Sequence, residues 1–149
     1  MEIFSFWAAG EPHPQPRPSV TRTGHTYYRD PEGRLTSWKT AVLHAPLAAA
    51  AGAQLPHNLP CVVHLRFWLS RPKSHYTMKG ALTRNAPTHP CGPRYDVDNL
   101  AKLVLDVMQA RGLIANDGLV VGLWIEKAWA VRSGHEPGCH VVATTTEPA

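Results

Sequence analysis

Residues 98–111 constrain this chain more than any other segment. Leu100, Leu103, Val104, Val107 and Met108 recur at intervals of one, three and four. They form one apolar stripe on an otherwise polar helix. Asp98 is a good N-cap and Gly112 a good residue just past the end. Such a stripe needs a surface to pack on, and the flanking sequence offers strands. In residues 61–69 (CVVHLRFWL), Val63, Leu65, Phe67 and Leu69 alternate with His64, Arg66 and Trp68, the period of a half-buried strand. Residues 2–9, 119–129 and 138–145 read as strands too, the last two joined as a hairpin through 130–137 with Ser133 and Gly134.

A second helix is expected from Trp38 to about Ala51, capped by Thr36 or Ser37 and stopped at Gly52. Pro46 inside it should kink or split it. Two irregular stretches remain. One is an arm over 10–35, with prolines at 12, 14, 16 and 18 and a turn at 30–33; the other is a loop over 70–95. The order β, helix, β, helix, β, β gives an α+β fold. It is one mixed β-sheet packed with two main helices, and 149 residues make a single domain.

Several classes are excluded. The Ala-rich run 40–55 is interrupted by His44, Pro46, Gly52 and Gln54, which argues against a membrane span. No secretory signal is visible at the N-terminus, so the expected location is the cytoplasm. The three cysteines, Cys61, Cys91 and Cys139, include no C-x-x-C pair. That is no disulfide framework, and Cys61 and Cys139 read as buried, inert thiols.

Charge is distributed unevenly. From Arg17 to Arg94 there are eleven bases and two acids; from Tyr95 onward there are four bases and seven acids. A basic stretch beside an acidic cluster suits a polyanion-binding surface around a carboxylate site. Four of the five aspartates, Asp96, Asp98, Asp106 and Asp117, fall within 22 positions. Should Asp117 fold back onto the start of the helix, three carboxylates would converge, and hard oxygens in that number select Mg²⁺ or Mn²⁺. Lys102 lies one turn beyond Asp98. Bland alternatives stand beside this one, and Asp117 can be only a turn residue. Asp98 can be only a cap, and Asp98, Lys102 and Asp106 only a solvated ion-pair ladder.

The run Asp96-Val97-Asp98-Asn99-Leu100-Ala101-Lys102, with Asp106 four residues on, is followed by Gly112 and then Asn116-Asp117 before Val121. It resembles the signature D-x-D-N-L-x-K-x-x-x-D … D-D-x-x-V of RusA-type Holliday-junction resolvases. Gly10 to Pro18 and Arg71-Pro72-Lys73 resemble elements that many members carry upstream. One departure shows: the acidic pair of the turn reads Asn116-Asp117 here. The resemblance implies a RusA-like homodimer that cleaves four-way DNA junctions by paired, symmetric, Mg²⁺-dependent phosphodiester hydrolysis. It implies that Asp96, Asp98 and Asp117 hold the metal (Mg²⁺, with Mn²⁺ as an alternative), that Lys102 assists and that Asp106 supports. It also implies that Arg17, Arg22, Lys73, Arg94 and Lys127 contact DNA, and that the protein is bacterial or phage-encoded and associated with the nucleoid. Tyr95 and Trp68 read as core rather than as residues that wedge the DNA. Two rivals are a metal-dependent nuclease for other branched DNA or RNA, and a basic DNA-binding protein without catalysis.

Overall fold

In the computed structural model, residues 2–49, 59–130 and 135–146 are described. Strand β1 (Glu2–Ala9) leads into the proline-rich arm, which carries a two-residue ribbon of β2 (Ser19–Val20) and β3 (Thr26–Tyr27). Helix α1 (Arg34–Ala49), strand β4 (Cys61–Ser70), helix α2 (Val97–Ala110) and strands β5 (Val120–Ala130) and β6 (Gly138–Thr145) follow. The sheet order is β1-β6-β4-β5. β6 runs antiparallel to both β1 and β4, whereas β5 runs parallel to β4. The fold is therefore α+β with a mixed sheet and two helices, as the element order implied.

The alternation read in β4 is the alternation observed. Cys61, Val63, Leu65, Phe67 and Leu69 are buried, and His64, Arg66 and Ser70 are exposed. Phe4, Phe6 and Ala8 of β1 join them from one side, with Cys139, Val141 and Ala143 of β6 between. Leu100, Leu103, Val104, Val107 and Met108 of α2 and Leu35, Trp38 and Val42 of α1 close the same core. Burial pushes the thiols of Cys61 and Cys139 up. Neither is a thiolate nucleophile at neutral pH.

Three expectations need correction. β5 and β6 are not a hairpin. β6 lies between β1 and β4, and β5 holds the opposite edge. The burial patterns carry the reason. β6 has alternate residues wholly inside, while β5 has exposed or half-buried residues until Trp129, and the strand that buries more belongs in the centre.

The start of α1 differs as well. It begins at Arg34, and the cap is Asp30, whose carboxylate accepts from the amides of Leu35 and Thr36 at 3.0 and 2.9 Å and from the Thr36 hydroxyl at 2.7 Å. The turn at 30–33, closed by Gly33 N donating to Asp30 O at 3.2 Å, brings that side chain back to the helix. Finally, Pro46 does not split α1, which runs unbroken from Arg34 to Ala49 with Pro46 buried. Gly52 lies outside the described residues.

α2 ends as its sequence requires. Gly112 takes φ +71°, its amide donates to Gln109 O at 3.0 Å, and Leu113 N reaches Met108 O at 2.9 Å. This paired closure needs a left-handed residue, which glycine supplies without strain. Arg111 Nε then donates to Leu43 O at 2.7 Å and ties the end of α2 to α1.

Candidate active site

The residue before α2 is Asp96, not Asp98. Asp96 occupies the N-cap position without a side-chain capping bond, and its carbonyl accepts Leu100 N at 3.0 Å. Asp98 sits in the first turn. Both are exposed, and neither carboxylate makes a hydrogen bond or ion pair with any described residue. The capping reading of Asp98 is thus set aside. So is the ion-pair ladder, since Asp98, Lys102 and Asp106 form no ion pair with one another. Two unengaged carboxylates at a helix N-terminus lie where the helix dipole favours negative charge.

Their position is fixed by Trp129, nearly at the end of β5 and 6% exposed. Its indole Nε1 donates to Pro87 O at 3.0 Å. The rings of Tyr95 and His75 meet it edge-on, each at 5.4 Å, and the Arg71 guanidinium stands 5.2 Å from its centre. Lys127 Nζ, one inward position earlier on β5, donates to Tyr95 O at 2.6 Å. The backbone that carries Asp96 is therefore held on both sides. Lys127, expected among the DNA contacts, is half-buried and directs its ammonium to this carbonyl.

The arm crosses the same helix end. Gln15 N donates to Asn99 O at 3.1 Å, and the Gln15 side chain donates to the Tyr28 hydroxyl at 3.2 Å. Arg17 lies two residues further, exposed, and Arg22 is exposed in the turn between β2 and β3. Beyond the arm opens a cleft of about 530 Å³ whose charged lining is Glu11, Arg34, Arg71, Lys73 and Arg94, with His13 beside them. Four permanent cations face one carboxylate. The resemblance points to Lys73 and Arg94 as DNA contacts. It points to neither Arg71 nor Arg34, although Arg71 stands in the same Arg-Pro-Lys run. Arg34 carried no sequence signal; it also pairs with Glu32 at 2.7 Å.

Asp117 stands elsewhere. It opens a short 3-10 turn, Asp117–Leu119, between the end of α2 and the start of β5. Because Lys127 near the far end of β5 touches Tyr95 just before α2, helix and strand run in opposite directions. The 14-residue helix spans about 21 Å, and Asp117 is separated from Asp96 by about that length. Three carboxylates do not converge within one chain. Among the described residues, no group of three or more His, Cys, Asp or Glu side chains is arranged to hold a metal ion. Lys102 is exposed one turn after Asp98. Asp106 lines a groove between α1 and α2 with Lys39, Leu103 and Tyr28, and it has no bond to Lys102. Tyr95 is half-buried, and Trp68 stacks on His135 with ring centres 4.0 Å apart.

The family model described as Endodeoxyribonuclease RusA matches residues 9–141. The chain belongs to the RusA endodeoxyribonuclease family. The RusA match covers the arm, the cleft, α2 and the Asp117 turn, so every element just described lies inside it. No curated protein gives a match. Among the described residues, no helix is long and apolar enough to cross a membrane.

Proposed function

We propose that this protein is a Mg²⁺-dependent endonuclease that resolves four-way DNA junctions as a two-fold homodimer. One observation carries the reading: two unengaged carboxylates beside a cationic cleft, with the third acidic residue of the motif a helix length away. A single chain holds two half-sites, one at each end of α2. An antiparallel two-fold pairing along β5 joins them, because it sets the start of one β5 against the end of the other. Asp117 of the partner subunit then meets Asp96 and Asp98. β5 suits that role. It is an edge strand, and its first half leaves Val121, Leu123 and Trp124 61%, 42% and 62% exposed. Exposed apolar side chains on an open edge mark a surface that pairs. A two-fold dimer also matches its substrate, since a four-way junction offers two equivalent phosphodiesters.

The donor set fits a hard divalent cation. Carboxylate oxygens without other partners are the ligands that Mg²⁺ and Mn²⁺ take. Asp96, Asp98 and the partner's Asp117 would hold it. When bound, it supplies positive charge against the charge that builds on the phosphoryl oxygens during in-line attack by water. Lys102, on the exposed face one turn from Asp98, gives a proton to the leaving oxygen as the phosphorus–oxygen bond breaks. Arg17, Arg22, Lys73 and Arg94 hold backbone phosphates, and Arg34 and Arg71 add to the cleft. Lys127 positions Asp96 through the Tyr95 carbonyl, and Asp106 supports α2 from the groove beside α1. The single domain, 1–149, acts in the cytoplasm of a bacterial or phage-infected cell, at the nucleoid.

The test is cleavage of a synthetic four-way junction with Mg²⁺ and with EDTA, against linear duplex, flap and RNA controls. Paired nicks in Mg²⁺ alone are expected. Asp98→Asn should abolish cleavage and keep or tighten junction binding, since it removes negative charge near phosphates. Function untouched by EDTA would favour a DNA-binding protein without catalysis.

A further inference from the structure

Residues 71–94 hold five bases and no acid. Within them the backbone closes a small hairpin. Tyr76 and Leu82 pair as an antiparallel bridge. Thr77 N donates to Ala81 O at 2.7 Å, Gly80 N to Thr77 O at 2.9 Å, and Thr83 N to His75 O at 2.9 Å. The Thr77 hydroxyl accepts Ala81 N at 3.2 Å, and Gly80 turns the corner at φ +83°. This is a built turn, and its tip carries an exposed methionine. Met78 is 107% exposed and Leu82 51%. A hairpin tip in water normally carries polar residues. Leaving a methionine wholly in solvent forgoes the stabilisation that burial would recover.

The surroundings indicate what would bury it. Lys79 follows Met78 directly, and Lys73 and Arg84 flank the hairpin. The root is fixed: the His75 ring meets Trp129, the same indole that holds Tyr95 ahead of Asp96. The tip and the carboxylates thus hang from one support. Bases around a flexible, polarizable thioether suit nucleic acid. The ammonium and guanidinium groups meet phosphates while the apolar side chain enters between bases.

We propose that Met78 is a wedge that enters the base stack at the branch point of the DNA gripped by this hairpin. The inference rests on the junction-endonuclease reading and deepens it. Unstacking a step opposes binding, and a branch point is where the stack is already interrupted. Met78 would therefore favour branched over continuous DNA.

The experiment places 2-aminopurine at the branch point of a synthetic four-way junction, in EDTA so that no strand is cut. Saturating wild-type protein is expected to raise its fluorescence. Met78→Leu should keep the rise, and Met78→Ala should lower it by at least half. A full rise with Met78→Ala overturns the wedge, as does wild-type binding without any rise. Failure of the wild-type protein to bind the junction at all overturns the wedge together with the junction reading.

Discussion

Two inactive variants, mixed, should regain activity. Asp98→Asn and Asp117→Asn each remove one carboxylate, from opposite ends of the 14-residue helix α2. Mg²⁺ takes oxygen ligands at about 2.1 Å, so two of its ligands lie within about 4 Å of each other. The helix separates the two aspartates by about five times that distance, so one chain cannot supply both to one ion. If the site forms across a two-fold, a mixed dimer collects both lesions in one site and leaves the other site intact. Random exchange of equal amounts makes about half of the dimers mixed and leaves about one quarter of all sites whole. Cleavage of a labelled four-way junction should therefore return to about a quarter of the wild-type nicking rate. The product should be a singly nicked junction rather than two resolved duplexes, because each mixed dimer has one working site. Asp96→Asn mixed with Asp98→Asn is the control. Both lesions lie at the same end of α2, so every mixed site carries one and no activity returns. Lack of recovery with Asp98→Asn plus Asp117→Asn, once subunit exchange is verified by mass, would refute the shared site.

Lys127→Met removes the ammonium that donates to Tyr95 O at 2.6 Å. Loss of a charge-assisted bond in a half-buried place should destabilise the protein by about 1–2 kcal/mol. Turnover should fall about tenfold with little change in junction affinity, and Lys127→Arg should restore part of it; an equal fall in affinity would make Lys127 a phosphate contact. Phe67→Ala empties a ring that is 0% exposed. A loss of about 3–5 kcal/mol in urea unfolding is expected, and less than about 1 kcal/mol would contradict a packed core there. The Thr36 hydroxyl and amide hold the Asp30 carboxyl below its ordinary value of 3.8. Its contribution is present above that value and lost as pH falls through the lower folded-state value. Wild type should lose more melting temperature than Asp30→Asn between about pH 5 and pH 2; parallel losses would remove Asp30 from the acid response.

Elements whose local pattern matches their final burial were legible in the sequence. β4 alternates and is half-buried; α2 carries its stripe and ends on Gly112. Where a partner remote in sequence decides, reading the chain alone failed. Asp30 caps α1 from the far side of a turn, and no spacing rule reaches from residue 30 to residue 36. The place of β6 depends on which strand gives up more surface to the core, a comparison between strands rather than a property of one. Lys127 was assigned to DNA by the resemblance, and its bond within the chain could not be read from β5 alone. Its ammonium is engaged by a carbonyl 32 positions away in sequence.

The carboxylates show a different limit. Clustering in sequence suggested clustering in space, since Asp96, Asp98 and Asp117 are at most 21 positions apart. The segment between them is a helix followed by a turn into a strand that runs back along it. That geometry must separate its ends. For the same acidic residues to share an ion, the chain needs a second copy in the opposite direction, and the proposed pairing puts that copy along β5, the edge strand of the sheet. On the proposed reading, the separation that looks like an obstacle to catalysis makes the site conditional on assembly. On that same reading an isolated chain would carry only half-sites, and cutting would begin only once two chains pair on a junction.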